Sequence, residues 1–176
     1  MNRIMIIGFS GCGKSTLARR LGGILGIEPT HMDALHWLPG WRESSDEHKI
    51  RLLGAVLERD RWIVEGNYRR ILWEERTEGA DTIIFLDYNR FLCLYHVIKR
   101  RIEYAGKTRP DMGEGCEEKL DAEFVRWVIK DGRKDRRKKL AGLRELGART
   151  GKDVYIFKSM RETEKFVNEI ERKERK

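Results

Sequence analysis

The sequence predicts a three-layer α/β domain in which helices cover both faces of a five-stranded parallel sheet. Three observations lead to this fold class. Short apolar, β-branched runs alternate along the chain with longer segments of helical periodicity. The run at 82–87 is almost continuously apolar, as in strands that are covered on both faces. A glycine-rich stretch at 8–15 separates the first strand from the first helix.

The elements follow one another without an internal repeat or a low-complexity linker. The predicted strands are 3–7, 27–33, 61–65, 82–87 and 154–157. The predicted helices are 15–21, about 45–59, 90 to about 104, the charged region 117–147, and 161–175. Ser44 or Ser45 can cap the second helix. Residues 106–115 break the helical periodicity and are predicted as a loop.

The glycine-rich stretch GFSGCGKS matches the phosphate-binding pattern G-x-x-x-x-G-K-[ST]. Its glycines permit backbone angles at which successive N–H groups point at a polyphosphate, and the following helix adds partial positive charge. Lys14 is expected to reach the β- and γ-phosphates and Ser15 to ligate Mg²⁺. The alternative is a glycine-rich turn with a surface lysine. The residues expected to contact a nucleotide are Gly8, Ser10, Gly11, Cys12, Gly13, Lys14, Ser15 and Thr16.

Composition restricts the class of protein. Hydrophobic residues make up 40% of the chain, and no apolar run approaches the ~20 residues that a membrane span needs. The three cysteines, Cys12, Cys93 and Cys116, form neither a disulfide framework nor a C-x-x-C metal motif. We therefore predict a cytoplasmic protein. Cys12 is either a small side chain in a tight turn or a thiol whose pKa is lowered by the helix terminus.

The net charge of +8 is concentrated in one region. Residues 97–144 hold fifteen Lys and Arg against nine Asp and Glu, and the densest part is 133–139. Such a run is typical of a solvated helix face, and it also suits binding to nucleotide phosphates or to a nucleic-acid backbone. Composition alone leaves these three alternatives open.

Several classes of phosphate-loop protein are excluded by missing motifs. The chain has neither the N-K-x-D guanine signature nor the L-S-G-G-Q motif of transporter ATPases. Motor-type ATPases place a glutamate beside a strand-end aspartate, whereas Tyr88 follows Asp87 and Gly66 follows Glu65 here. A short chain with a basic insert after the fourth strand suits phosphoryl transfer to a bound acceptor. Enzymes of this kind close a lid that excludes water and brings arginines to the transferring group.

Five segments together carry a resemblance to a known family: GFSGCGKST, HMDALHWLPGW, RWIVEGNYRR, DTIIFLDYNR and GKTRPDMGEGC. In this order they resemble the adenylate-kinase-related proteins of the DNA topology modulation family, and the likeness runs from Ile4 to about Ser159. The resemblance implies a P-loop NTPase fold of the nucleotide-kinase type, with strand order 2-3-1-4-5 and a helical lid. The family name implies a DNA role, but the motifs are those of a small-molecule kinase.

Residue roles follow from the likeness to adenylate kinases. Glu65 stands where a carboxylate holds Mg²⁺ through water, and Arg69 where an arginine binds phosphates. Arg100 or Arg101 is similar to the arginine at the lid entrance that contacts ATP. The chain departs from the pattern at Asn67-Tyr68, which replaces Phe-Pro, and it lacks the zinc-binding lid cysteines of some adenylate kinases.

Two strand-end carboxylates admit more than one role. Asp33 can accept the proton of an alcohol acceptor, and it can position Mg²⁺ or substrate if the acceptor is a nucleoside monophosphate. It can also be a capping residue without a catalytic role. Asp87 matches the position of a metal-binding aspartate by pattern alone, but we favour a strand-end turn residue.

The remaining candidates lie in the acceptor segment and the lid. Trp37, Trp41 and Tyr68 can stack on a flat acceptor or form ordinary packing contacts. His31 and His36 lack partners at metal-ligand spacing.

Arg109 is the lid arginine that we favour after Arg100 and Arg101. For Arg133, Arg136 and Arg137 we favour a solvated face over phosphate contact. The predicted acceptor-binding residues are His36, Trp37, Trp41, Asn67, Tyr68 and Arg69.

The sequence thus predicts a Mg²⁺–ATP-dependent kinase that transfers a phosphoryl group to a small acceptor, a nucleoside monophosphate or a related metabolite. We predict one domain over 1–176, with an acceptor-side segment at about 34–60 and a lid insert at about 102–140. The catalytic set is Lys14, Asp33, Arg100, Arg101 and Arg109, and the metal set is Ser15, Glu65 and Asp33. The alternatives are a nucleic-acid-associated NTPase that uses the basic 97–144 region and a nucleotide-binding module without catalysis.

Overall fold

Seven strands and eight α-helices lie within residues 1–109, 111–113, 115–117 and 120–175, which the computed structural model describes. The strands are β1 (Arg3–Gly8), β2 (Pro29–His31), β3 (Trp37–Leu38), β4 (Arg42–Glu43), β5 (Trp62–Glu65), β6 (Thr82–Leu86) and β7 (Asp153–Phe157). The helices are α1 (Lys14–Leu25), α2 (Met32–His36), α3 (Asp46–Leu57), α4 (Trp73–Gly79), α5 (Arg90–Glu103), α6 (Ala122–Ile129), α7 (Arg136–Thr150) and α8 (Met160–Glu174). One turn of 3₁₀ helix, Asp131–Arg133, lies between α6 and α7.

Five parallel strands form the central sheet in the order β2-β5-β1-β6-β7. The predicted order 2-3-1-4-5 is therefore confirmed. β1 lies at the centre, where Ile6 is opposite Glu65 of β5 and Gly8 is opposite Leu86 of β6. All five strands end at the same edge of the sheet. In open parallel sheets, ligands bind in the crevice outside these carboxyl ends.

Side chains of β1 alternate between two apolar cores, as the period of a strand requires. Ile4 and Ile6 are buried against α1, α5 and α8 on one face. Met5 and Ile7 are buried against α3 and α7 on the other. Burial of each such side chain contributes about 1.5–3 kcal/mol, so both layers of helices stabilise the central strand. The predicted three-layer α/β architecture is thus confirmed.

The acceptor-side segment contains more regular structure than the sequence indicates. Its predicted helix is α3, which Ser45 caps by accepting a hydrogen bond from the His48 amide at 3.2 Å. The preceding loop contains the short helix α2 and a hairpin of β3 and β4. The second strand is also shorter than the predicted 27–33. Asp33 therefore lies in the first turn of α2, which corrects the prediction that it ends a strand.

The predicted lid insert consists of three described parts and is not one continuous helix. A loop follows α5, then α6 packs against α5, and the 3₁₀ turn at Asp131–Arg133 separates α6 from α7. The region 117–147, which was predicted as helical, therefore contains α6 and most of α7, separated by this turn. Positions 110 and 114 of the predicted loop, and positions 118 and 119 of the predicted insert, lie outside the described residues.

A buried ion pair joins α7 to the end of β6. Arg136 donates from Nε and Nη2 to the two carboxylate oxygens of Asp87 at 2.7 and 2.6 Å. The Asp87 side chain is fully buried, whereas that of Arg136 is 43% exposed. Asp87 is therefore a strand-end residue with a structural partner. The solvated face that we favoured for Arg136 is incomplete, because its side chain is partly exposed and also pairs with this buried carboxylate.

We expect the Arg136→Met substitution to lower the free energy of unfolding by about 2 kcal/mol. This value lies below that of a fully buried pair because water screens the exposed side of Arg136. The loss arises because the buried Asp87 carboxylate has no counter-ion in the variant. Urea unfolding followed by tryptophan fluorescence measures it. Arg137→Met, an exposed neighbour in the same helical turn, is the matched control. Equal losses for the two variants would contradict the structural role of the pair.

Candidate active site

The phosphate-binding stretch turns through conformations that need glycine. Gly11 and Gly13 have φ values of 76° and 83°, in the left-handed region. A Cβ on Gly11 would lie 2.3 Å from the Cys93 carbonyl oxygen of α5, so a side chain cannot be accommodated there. Strand β1 leads into this turn, and α1 begins directly after it at Lys14. Strand, glycine turn and helix thus follow one another as the motif predicts.

A cavity of about 410 Å³ opens on this turn. Eight consecutive residues, 10–17, line it, and Asp33 faces it from α2. Its other walls come from α5, from the start of α8 and from the loop after α5. The predicted nucleotide-contacting residues thus meet at one place, except Gly8, which does not line this cavity. Of the two arginines predicted at the lid entrance, Arg100 lines the cavity and Arg101 does not.

The Lys14 side chain forms a hydrogen bond within the phosphate-binding loop and stays charged. Its Nζ donates to the carbonyl oxygen of Phe9 at 3.3 Å. Burial alone would lower the pKa of Lys14, but nearby Cys12, Glu65 and Asp33 outweigh burial and raise the pKa. The ammonium group therefore stays charged at neutral pH and faces the same cavity as the Asp33 carboxylate.

Ser15 and Glu65 bring two oxygen atoms together beside the loop. Ser15 Oγ donates to Glu65 Oε1 at 2.9 Å, and His31 Nδ1 lies 2.9 Å from the same oxygen. Glu65 ends β5 and is almost fully buried. Among the described residues, no three His, Cys, Asp or Glu side chains form a group that could hold a metal ion by themselves. A hydroxyl and a carboxylate suit Mg²⁺, which takes oxygen ligands and usually keeps water and substrate phosphates among them.

Asp33 and Tyr68 form a hydrogen-bonded pair across the carboxyl ends of β2 and β5. Tyr68 Oη donates to Asp33 Oδ1 at 2.7 Å. Burial and then the Asp33 charge raise the pKa of Tyr68, so its hydroxyl stays protonated and remains a donor. Asp33 thus has one oxygen fixed by Tyr68 while its side chain lines the cavity of the phosphate-binding loop.

The loop after α5 brings a carboxylate into the site that the sequence did not single out. Arg109 Nη1 donates to Asp111 Oδ2 at 2.9 Å, and Arg19 Nη1 of α1 donates to Asp111 Oδ1 at 3.2 Å. Asp111 is buried, which by itself raises its pKa, but Arg109, Ser15 and Arg19 outweigh burial and lower it. Asp111 therefore stays ionised, and it holds Arg109 in the wall of the cavity.

Aromatic residues of the acceptor segment join this loop to the hairpin. The Trp37 ring lies against those of His36 and Trp41, with centroid distances of 4.5 and 5.3 Å. Trp41 Nε1 donates to the Glu117 carbonyl oxygen at 2.9 Å. Neither tryptophan lines the 410 Å³ cavity. Stacking of these rings on an acceptor stays a prediction.

Asn67 and Arg69 face away from Asp33, toward the other side of the phosphate-binding loop. Asn67 accepts a hydrogen bond from the Gly8 amide at 3.1 Å and donates to the Gly8 carbonyl oxygen at 2.7 Å. The Arg69 guanidinium lies 5.3 Å from the centroid of the Trp73 ring. The predicted acceptor-binding residues therefore lie in three places: Tyr68 at Asp33, Asn67 and Arg69 on the side of Gly8, and His36, Trp37 and Trp41 in the aromatic cluster at the hairpin.

A buried arginine that the sequence did not indicate holds this segment. Arg76 is fully buried and donates to the carbonyl oxygens of Gly66, Tyr68 and Leu72 at 3.0, 2.5 and 3.3 Å. Burial lowers the pKa of Arg76 to about 10, so the guanidinium remains charged at neutral pH. Its three acceptors flank the turn between β5 and α4, which carries the Asn67 and Tyr68 side chains.

We expect Arg76→Met to lower the free energy of unfolding by about 3 kcal/mol, because three carbonyl oxygens lose a charged donor. Arg76→Lys should lose less, since an ammonium can still donate. Chemical denaturation measures both variants. Arg70→Met, at an exposed arginine on the same segment, is the matched control. If Arg76→Met unfolds at the same denaturant concentration as this control, the three hydrogen bonds do not stabilise the turn.

Arg133 and the cysteines complete the surroundings of the loop. Arg133 lies 4.0 Å from the centroid of the Phe9 ring and donates from Nη2 to Cys93 Sγ at 3.1 Å. It therefore packs on the phosphate-binding loop and does not form a solvated face. Burial raises the pKa of Cys12 to about 12. The alternative that the helix terminus lowers the pKa of this thiol is therefore wrong. Cys12, Cys93 and Cys116 are all buried free thiols.

Comparison with known proteins shows the fold. No known family model matches this chain, and no curated protein matches it. A shikimate kinase from Acinetobacter baumannii, solved in complex with shikimate, is 17% identical, with a TM-score of 0.60 over 97% of this chain and 90% of that one. A gluconokinase from Sinorhizobium meliloti 1021 is 15% identical, with a TM-score of 0.51 over 98% of this chain and 91% of that one. The chain therefore has the fold of the P-loop kinases.

Proposed function

We propose that this protein transfers the γ-phosphoryl group of Mg²⁺–ATP to a small acceptor. One observation supports this most strongly: a single cavity collects the phosphate-binding loop with Lys14, the Asp33 carboxylate, and the Arg100 and Arg109 side chains. The loop and Lys14 suit a triphosphate, and the Asp33 carboxylate suits an acceptor. The two arginines suit the negative charge of a phosphoryl group in transfer. We further propose that the chain belongs to the adenylate-kinase-related DNA topology modulation family, which its five segments resemble.

The residues fit both ATP and Mg²⁺. The loop amides and Lys14 would hold the phosphates, while Ser15 and Glu65 would hold the metal, with Asp33 beside them. When bound, Mg²⁺ neutralises charge on the β- and γ-phosphates. Tyr88, Met160 and Thr163 line the same cavity and would be available to contact the purine.

The loop after α5 is suited to exclude water. Asp111 binds it to α1, and the Glu117 carbonyl binds it to Trp41 of the hairpin. The loop therefore spans the phosphate-binding side and the acceptor segment. Arg109, which Asp111 orients, faces the cavity together with Arg100. Phosphoryl transfer needs such an enclosed site, since bulk water would otherwise compete with the acceptor.

For the acceptor we propose a hydroxyl-bearing metabolite. Asp33 presents a carboxylate to the cavity and is oriented by the protonated Tyr68 hydroxyl, as a base that accepts a proton from an alcohol requires. A nucleoside monophosphate needs no base, because its oxygen is already ionised, and it needs cations from the acceptor side. No residue of 34–60 contributes a cation to this cavity.

The nucleic-acid alternative finds less support in the basic run 133–139. Four of its six Lys and Arg side chains make internal contacts. Arg136 pairs with Asp87, Lys134 pairs with Asp131, and Arg133 and Lys139 lie over the Phe9 ring. Two of these cations, Lys134 and Arg136, are therefore partly neutralised within the protein, which leaves fewer of them for a phosphate backbone.

We propose a reducing compartment, the cytoplasm, because all three cysteines are buried free thiols. Within the described residues, no helix combines the length and the apolar character that a bilayer crossing demands.

A panel assay tests the proposed function. ADP release from Mg²⁺–ATP is followed with polyols, hydroxy acids, nucleosides and nucleoside monophosphates, each against a tube without acceptor. We expect stimulation by one hydroxyl-bearing class over a low background of hydrolysis. Stimulation by a nucleoside monophosphate alone would show that the proposed alcohol acceptor is wrong, whereas the proposed kinase activity would stand. The absence of stimulation by every acceptor would contradict the proposed function.

A further inference from the structure

A second cavity, of about 540 Å³, lies on the other face of the sheet. Side chains of β1 and β6 form its apolar floor, and α4 and α7 form its walls. The floor consists of Met5, Ile7, Ile83 and Phe85. The cavity shares no lining residue with the one at Lys14. Its volume falls within the range of about 300–1,000 Å³ that is typical of small-molecule sites.

The rim of this second cavity carries an excess of positive charge. Arg69, Lys138, Lys139 and Arg149 line it, and Glu145 is the one acidic residue among its lining residues. In the described part of the chain, none of the four cations pairs with a carboxylate. An apolar floor would suffice for a neutral ligand. Four such cations above it favour a ligand that also carries negative charge.

Two of the cations converge on aromatic rings at one end. Lys139 Nζ lies 5.6 Å from the centroid of the Phe9 ring, and the Arg69 guanidinium lies 5.3 Å from that of Trp73. Burial, and then the nearby charge of Arg69, lowers the pKa of Lys139. Positive charge is therefore concentrated at this end, where a bound anion would relieve the repulsion.

We propose that this cavity binds an amphipathic organic anion, with its ring or short hydrocarbon body on the floor and its acidic group between Arg69 and Lys139. The site is separate from phosphoryl transfer and does not depend on the proposed function. It adjoins the active site through Asn67, which lines the cavity and holds Gly8 by two hydrogen bonds. A ligand here thus contacts the residue that fixes the start of the phosphate-binding loop.

Gly142 offers a way to fill the cavity without disturbing the fold. It lies within α7 and lines the cavity, and a Cβ built on it meets no atom within 4 Å. Gly142→Leu should therefore extend into the space without a clash. Gly54 of α3 is the matched control, because it is also helical, has the same free space and lines neither cavity.

The test uses 1-anilinonaphthalene-8-sulfonate, an aromatic sulfonate that fluoresces in apolar sites, titrated into the full chain with saturating Mg²⁺–ATP. We expect one site, weakened about tenfold or more by Gly142→Leu and by Lys139→Glu, and unchanged in Gly54→Leu. Decanoate should displace the probe, whereas 1-decanol at the same concentration should not. Denaturation midpoints for each variant establish that it is folded.

Three outcomes would overturn this proposal. Equal probe affinity in Gly142→Leu and Gly54→Leu would place the probe elsewhere on the surface. Equal displacement by decanol and decanoate would show that the cations at the rim do not recognise the negative charge of the ligand. A probe site that is seen without nucleotide and lost at saturating Mg²⁺–ATP would place the probe in the nucleotide cavity. The two proposals can fail separately. The protein could prove to be a kinase that does not bind the probe at this cavity, or it could bind the probe there and show no kinase activity.

Discussion

Lys14→Ala should weaken Mg²⁺–ATP binding by about a hundredfold and abolish phosphoryl transfer, because the variant loses a charge-assisted contact to the phosphates. The loss is increased by the surroundings, since Glu65 and Asp33 lie near the lysine and would then face the triphosphate without a cation between them. Isothermal titration of Mg²⁺–ATP into both proteins measures the change in affinity.

Lys99→Ala is the matched control for this experiment. Lys99 lines the same cavity, but its ammonium is exposed and pairs with Glu103 on α5 at 3.5 Å. We expect a change of no more than a few fold, because exposed ion pairs contribute little. If Lys14→Ala binds Mg²⁺–ATP as tightly as the control does, the assignment of the phosphate-binding loop fails.

Asp33→Asn should lower kcat by about 10²–10⁴-fold for a hydroxyl acceptor, because the variant cannot take up the proton of the attacking hydroxyl. The amide oxygen can still accept the hydrogen bond from Tyr68, so the fold of the site should be retained. The affinity for Mg²⁺–ATP should change only slightly. Steady-state kinetics with the acceptor found in the panel, at saturating ATP, measures the loss.

Tyr68→Phe separates proton transfer from positioning. It removes the partner that orients Asp33 but leaves the carboxylate in place, so we expect a much smaller loss of kcat than in Asp33→Asn. A loss of the same size in both variants would indicate that Asp33 acts only through its geometry. An Asp33→Asn enzyme with the kcat of the wild type would exclude a general base at this position.

The fold could be predicted largely from local pattern. Strands such as 82–87 are buried on both faces and therefore form continuous apolar runs. The glycines of the phosphate-binding loop form a contiguous motif, and positive φ angles and close neighbours require them. The strand order came from the resemblance, because periodicity does not specify which strands pair. Short elements were missed: α2 has five residues and α4 has seven, too few for a helical period to emerge.

Residues of the candidate site that belong to one contiguous motif could be predicted from the sequence. Residues that meet only through the fold could not. Lys14 and Ser15 follow from a contiguous motif. Asp111 became visible only in the structure, because its partner Arg19 is 92 positions away in the sequence. The Asp87–Arg136 pair is similarly separated by 49 positions. Sequence spacing carries no signal for such contacts, and a charged run such as 133–139 therefore resembles a solvated face.

The proposed kinase activity requires transfer of the γ-phosphoryl group to a small molecule in preference to water. The measurement that tests this most directly follows labelled phosphate from γ-labelled Mg²⁺–ATP in three tubes: the enzyme alone, the enzyme with the pooled acceptor panel, and the enzyme with duplex DNA. We predict label in an organic phosphate in the second tube and little free phosphate in the other two. Free phosphate that rises only with DNA, and no labelled organic product, would contradict the proposed kinase activity and favour a nucleic-acid-associated NTPase.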